Sequence, residues 1–228
     1  MRKESRPTPG NAERPGNAEL QLGMHGHTGR PHAGWHSRGY LPHLDAPGVV
    51  QSVTFRLADS LPRQVVRRLD HELRAQPAST ANRLRRERVD AWLDAGLGCC
   101  ALAHPRVAAL VQDALLRFDG ERYRLCAWCI MPNHVHVLVE PHRALARIVQ
   151  SWKSYTGRWA LVHEADPDLR VAGGRLWMRD YWDRYIRDER HYRAVVAYIH
   201  ANPVKAGLCA APADWPWSSA RLMAGDGP

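Results

Sequence analysis

In the segment GVVQSVTFRL, Gly48–Leu57, apolar and polar residues alternate up to the turn-forming stretch DSLP, and the alternation predicts a strand over about Val49–Leu57. The period then lengthens. Helices are expected at about Pro62–Ala75, Asn82–Ala95 and Pro105–Phe118, the last with Val107, Leu110, Val111 and Leu115 at helical spacing. After a turn at Asp119–Gly120, RYRLCAWCIM and HVHVLVE read as two strands of a hairpin joined through Pro132 and Asn133. A long amphipathic helix follows over Arg143–His163, then a strand in YWDRYIRD. A helix over Glu189–Ala201 is expected to stop at Asn202–Pro203, and the tail ADWPWSSA reads as irregular.

Strand, helices, two strands, helix, strand, helix is an α+β order. It fits a ferredoxin-like antiparallel sheet with helices packed on one face, and such a sheet can offer its other face to a ligand. The pattern divides the chain into a Pro/Gly/Arg/His-rich tail expected to be disordered (residues 1–34), one globular domain (35–222) and a disordered C-terminus (223–228). The tail repeats GNAE at Gly10–Glu13 and Gly16–Glu19. Met24 is an alternative translation start, which an intact mass beginning at Met1 would exclude. His25 and His27 flank a glycine in this tail, and spacing without a rigid scaffold says little about metal.

Composition narrows the classes further. No run approaches the ~18 apolar residues of a membrane span, and the N-terminus lacks the apolar core of a secretory signal. A cytoplasmic location with reduced thiols is therefore expected, and no membrane partner. The formal charge is +9, and all but three of the 32 basic residues are arginines; the lysines are Lys3, Lys153 and Lys205. Arginine's planar fork suits phosphate, so nucleic acid rises modestly among possible partners.

The candidate chemistry lies in MPNHVHVLVEP, Met131–Pro141. The two-residue period sends Val135, Val137 and Val139 to one face and His134, His136, Leu138 and Glu140 to the other. Same-face neighbours on a strand lie ~7 Å apart, close enough for two ring nitrogens to converge on one ion at ~2.1 Å. From spacing alone, histidines satisfied by their neighbours are an equal alternative, and two ligands do not make a site. In ERHYRAVVAYIHANP, Tyr192, Val195, Val196 and Ile199 form an apolar stripe. Tyr198 and Asn202 share a flank one helical turn apart, with His191 behind them. Without the histidines, these two would read as a boundary tyrosine and a helix cap.

MPNHVHVLVEP, SWKSYTGRWA, DYWDRYIRDERHYRAVVAYIHANPVKAGL and DWPWSSA closely resemble the single-tyrosine transposases of the HUH superfamily, and among them the REP-associated tyrosine transposases. The resemblance runs from about Trp35 to Arg221. It implies an HUH nuclease fold in which His134 and His136 are metal ligands, Tyr198 is the nucleophile and Asn202 is the third polar ligand. Asn133 is read as shaping the hairpin turn.

The implied activity is that of a metal-dependent, single-stranded DNA endonuclease and strand transferase. Tyr198 attacks phosphorus and leaves a 5′-phosphotyrosine and a free 3′-OH, so the bond energy is kept for rejoining. Two imidazoles and an amide favour Mn²⁺, and Mg²⁺ is the cellular ion by family analogy. No small-molecule cofactor is expected. The substrate would be single-stranded or hairpin DNA carrying REP-type palindromes, with Lys205 and Lys153 as candidate phosphate contacts. A monomer is favoured, with a dimer as the alternative, and a nucleoid-associated location is implied.

Two rival functions stay open: a domesticated DNA-binding protein without cleavage, and a metallohydrolase in which water attacks. Cys126 and Cys129 form a CxxC, but residues three apart on a strand face opposite ways, so structural thiols are expected. Tyr155, Tyr181, Tyr185 and Tyr192 lack a polar partner one turn on. RLRRERVD reads as a solvated helix face that can also touch DNA, and Trp215 and Trp217 read as pins for the C-terminus rather than base-stacking platforms.

Overall fold

The structure is a computed structural model that describes residues 34–37, 42–46, 48–163, 165–166, 169 and 174–223. The tail expected to be disordered (apart from Gly34), its His25/His27 pair and residues 224–228 lie outside the described residues. Strands β1 (Gly34–Ser37) and β2 (Pro42–Asp45) form a small hairpin that the alternation did not predict. It is tied to the main sheet where the amide of Leu44 donates to the Asp183 carboxylate at 3.3 Å.

The main sheet has four strands: β3 (Gln51–Arg56), β4 (Tyr123–Ile130), β5 (His134–Pro141) and β6 (Trp182–Tyr185). Their spatial order is β4-β5-β3-β6, and every pairing is antiparallel. With β3 and β5 central, this is the expected ferredoxin-like α+β arrangement. Helices α1 (Arg63–Leu73), α2 (Ala78–Asp94) and α3 (Pro105–Leu116) lie between β3 and β4, and α4 (Leu145–Val162) lies between β5 and β6. On one face Val53, Phe55, Val135, Val137 and Val139 pack with Val107 and Val111 of α3 and with Ile148, Val149 and Trp152 of α4. Each large apolar side chain so buried contributes about 1.5–3 kcal/mol.

The other sheet face also carries a helix. In α5 (Glu189–Lys205), Ile199 packs on Leu138, Cys129 and Met131. The helix starts where the Asp188 carboxylate accepts the amide of His191 at 2.7 Å. It does not stop at Asn202–Pro203 as the sequence suggested. Pro203 forgoes only its own N–H, and the chain closes a turn later. There Gly207 (φ +69°) donates to the carbonyl of Val204 at 3.0 Å and Leu208 to that of Pro203 at 2.8 Å.

A β-bulge corrects the reading of the CxxC. The β4/β5 register slips between Leu125 and Ala127, which brings Cys126 and Cys129 into one buried cluster beneath α5. Burial raises both thiols, Cys129 to about 12, so both are inert packing groups as expected.

The C-terminal segment is more ordered than its composition suggested, with a 3₁₀ turn at Pro212–Asp214 and a short helix α6 (Ala220–Met223). Ile130 donates to the carbonyl of Trp217 at 2.8 Å, and the indole of Trp215 donates to the carbonyl of Ile130 at 2.9 Å. The two tryptophans pin the C-terminus along β4.

Candidate active site

His134 and His136 project from the start of β5 onto the α5 side, each with only 1% and 3% of its surface exposed. Their Nε2 atoms are 2.9 Å apart and their rings meet edge to face. Each ring is oriented through its Nδ1. His134 Nδ1 is 2.7 Å from Oδ1 of Asn133, whose Nδ2 donates to the carbonyl of Leu97 at 2.9 Å. Because that amide is fixed with its oxygen toward the ring, His134 carries its proton on Nδ1 and presents an Nε2 lone pair. Asn133 therefore does more than shape the turn. His136 Nδ1 is 2.9 Å from the hydroxyl of Thr54, directly across the ladder on β3. A hydroxyl can donate or accept. The metal-free His136 can thus hold its proton on Nε2 against His134, and shift it to Nδ1 when both lone pairs are needed.

Burial depresses both imidazoles, His134 well below the ordinary range and His136 to about 4 with help from the Lys205 charge. Both are neutral at neutral pH, as a metal ligand must be. Among the described residues no three His, Cys, Asp or Glu side chains stand grouped as a ready-made ion site. Asn202 is fully buried, its Nδ2 donating to the Tyr198 carbonyl at 2.8 Å and its Oδ1 left without a partner. A buried oxygen in that condition calls for a cation or donor. Two imidazoles and an amide oxygen fit a divalent ion such as Mn²⁺.

Tyr198 comes to the same place from α5. Its ring lies edge-on to His136, centroids 5.5 Å apart, and Nζ of Lys205 lies 4.7 Å from its ring centroid. Its hydroxyl points at Asp90 of α2, 3.5 Å from Oδ2. Burial first, then the charges of Asp90 and Asp94, push the phenol well above its ordinary value. Burial and the neighbouring Asp94 charge push Asp90 up to about 6.

His134, His136, Tyr198, Asn202 and Lys205 thus form one constellation. Lys153 does not join it. It sits on α4, on the valine side of the sheet, where Nζ donates to the Arg179 carbonyl at 2.7 Å in a groove shared with Arg175. Of the rival tyrosines, Tyr155 and Tyr185 are exposed and Tyr181 is buried in the valine-side core.

The sequence reading missed Asp90, Asp94 and Thr54. RLRRERVD is indeed paired outward along part of its length, Arg85 with Asp70 and Arg88 with Glu72 of α1. Asp90 and Asp94, one turn apart beside the buried Val89 and Leu93, turn inward instead. Two carboxylates bordering an apolar stripe were the available signal.

The family profile described as "Transposase IS200 like" (Y1_Tnp) matches residues 106–202, which contain His134, His136, Tyr198 and Asn202. The REP-associated tyrosine transposase of Escherichia coli (strain K12) is 26% identical over 113 residues, 48% of this chain and 62% of its own. A curated protein of Haemophilus influenzae (strain ATCC 51907 / DSM 11121 / KW20 / Rd) is 29% identical over 105 residues, 42% of this chain and 58% of its own. The matches thus span about three fifths of these relatives' length. Among solved structures, one described as the REP-associated tyrosine transposase bound to a REP hairpin is 19% identical. It has a TM-score of 0.49 and covers 83% of this chain and 88% of that one. The resemblance read from the motifs is borne out: the chain is similar to the IS200-like transposases and, among them, to the REP-associated tyrosine transposases.

Proposed function

We propose that this protein is a metal-dependent single-stranded DNA endonuclease and strand transferase. It uses Tyr198 as nucleophile, on hairpins of REP-type palindromes of the kind that the name of its E. coli relative suggests. The observation that carries the reading is the meeting of Tyr198 with the His134–His136 pair, brought from α5 and β5 to 5.5 Å between the Tyr198 and His136 rings.

His134, His136 and Asn202 would hold Mg²⁺ or Mn²⁺. A bound divalent ion offsets the charge that builds on a non-bridging phosphate oxygen, worth several kcal/mol. Lys205, beside the Tyr198 ring, supplies a further positive charge to the phosphate. Oη of Tyr198 forms the bond to phosphorus as the 3′ oxygen leaves, giving a 5′-phosphotyrosine and a 3′-OH. The phenol proton goes to Asp90, whose carboxylate, pushed up to about 6, is a stronger base than an ordinary one. Rejoining runs the same steps backward with a second 3′-OH. Lys153, with Arg175 and Arg179, offers a separate phosphate contact on the opposite side of the sheet. Tyr198 meets His136 of its own chain, which favours a monomer.

The test is a denaturing gel of the protein with labelled single-stranded hairpin DNA and Mn²⁺, beside Tyr198→Phe and His136→Ala. A covalent adduct with the wild type alone supports the reading. Binding without an adduct across several metals and palindromes favours a DNA-binding protein. Cleavage that survives Tyr198→Phe assigns the attack to water.

A further inference from the structure

We propose that Asp94, at the C-terminal end of α2, is a fourth ligand of the ion held by His134, His136 and Asn202, an assignment that rests on the metal-site reading above. Oδ1 of Asp94 is buried, has no hydrogen-bond partner and lies 4.0 Å from Nε2 of His134. Apart from the amide of Gln51, the buried side-chain polar atoms without a partner among the described residues are this oxygen and Oδ1 of Asn202. Two orphan oxygens stand with a pair of neutral imidazoles, and the nearby positive charge is that of Lys205, which acts on both Asp94 and His136. A bound cation satisfies both oxygens and both rings at once.

The 4.0 Å separation is itself informative. It is too long for a hydrogen bond, so Asp94 does not simply orient His134.

The carboxylate is also held in place for the task. Past α2 the loop is clamped twice: the amide of Cys99 donates to the Asp59 carboxylate at 2.7 Å, and the carbonyl of Leu97 accepts from Asn133. Asn133 is the residue that fixes the His134 ring, so one side chain sets both the histidine and the loop that follows Asp94. A carboxylate shifts the donor set from two nitrogens and one oxygen to two of each. That favours Mg²⁺ and Mn²⁺ over softer ions and offsets the ion's charge before DNA arrives.

The experiment titrates Mn²⁺ into the metal-free full chain, following free Mn²⁺ by electron paramagnetic resonance and water-proton relaxation per bound ion. Wild type is compared with Asp94→Asn, Asp94→Ala and His136→Ala. Thermal melts in chelator check that each variant folds. The expected result is Mn²⁺ binding by the wild type, its loss in His136→Ala and a Kd raised about tenfold or more in Asp94→Asn. Relaxation per bound ion should also rise in Asp94→Ala as water takes the vacated position, which a through-space charge effect would not produce. Unchanged Kd and relaxation in Asp94→Ala, with His136→Ala defective, overturns the assignment and leaves the histidine site standing. A folded wild type that binds no Mn²⁺ overturns both.

Discussion

The hydroxyl of Tyr198 stands 3.5 Å from Oδ2 of Asp90, a carboxyl 108 residues earlier in the chain. The contact joins the expected nucleophile to a group whose pKa burial and Asp94 raise from 3.8 to about 6. The folded chain therefore holds this proton more tightly than the unfolded chain does. The linked stabilisation is complete below pH 3.8 and is lost as pH rises through about 6. A shift of this size corresponds to about 3 kcal/mol. In chelator, Asp90→Asn is expected to match the wild type near pH 4 and to exceed it by about 2–3 kcal/mol at pH 7.5, read from urea unfolding at both pH values. Equal stability at pH 7.5 would show that Asp90 is not strained by its burial.

The same substitution should have the opposite effect on chemistry. If Asp90 takes the phenol proton, Asp90→Asn should slow covalent adduct formation by about 10²-fold. The pH–rate profile should lose its acid-side limb as well. A variant that is slower at every pH by one factor but keeps the limb would mean that Asp90 only positions Tyr198.

Thr54 sits across the ladder from His136 and meets its Nδ1 at 2.9 Å. In Thr54→Val nothing accepts the Nδ1 proton that His136 must carry when Nε2 faces an ion. Mn²⁺ affinity by calorimetry should fall about 10–100-fold with little change in the melt. An unchanged affinity would show that the neighbouring strand does not set the tautomer.

The histidine pair was legible because strand alternation is local, and so was the Tyr198–Asn202 flank, because helix periodicity is local too. The slip at Cys126 was not, since a bulge is decided by the partner strand; it moved both cysteines to one face and overturned a sound period-2 argument. Pro203 marked a helix end by rule. The αL conformation of Gly207 let the helix finish a turn later. Asp90 and Asp94 were hidden among arginines, and only the docking of α2 reveals that they turn away from that charged surface toward the site.

Gly98 is required by the loop that carries α2 into place. Its φ is +94°, and an added Cβ would lie 2.9 Å from the backbone oxygen of Asp59. Left-handed backbone alone costs a side chain about 1–2 kcal/mol, and the contact is with main chain that cannot swing aside. Gly98→Ala should lower stability by about 2–4 kcal/mol in urea unfolding. Because the loop also holds Asn133, Mn²⁺ affinity should fall with it, in contrast to a neutral surface change.

The last relationship ties the C-terminal segment to the helix that carries Tyr198. Oγ of Ser219 accepts the amide of Trp128 on β4 at 2.9 Å and lies 2.9 Å from Nε2 of His200 on α5. Ser219 is buried, so Ser219→Ala leaves the Trp128 amide without its acceptor and should cost about 1–3 kcal/mol. His200 lies two residues from Tyr198, yet its partner touches none of the candidate ligands. Adduct formation well below the melting temperature should therefore stay near wild type and should collapse several degrees earlier on heating. A large loss of adduct at low temperature, with an unchanged melt, would instead place the segment in the chemistry of the site.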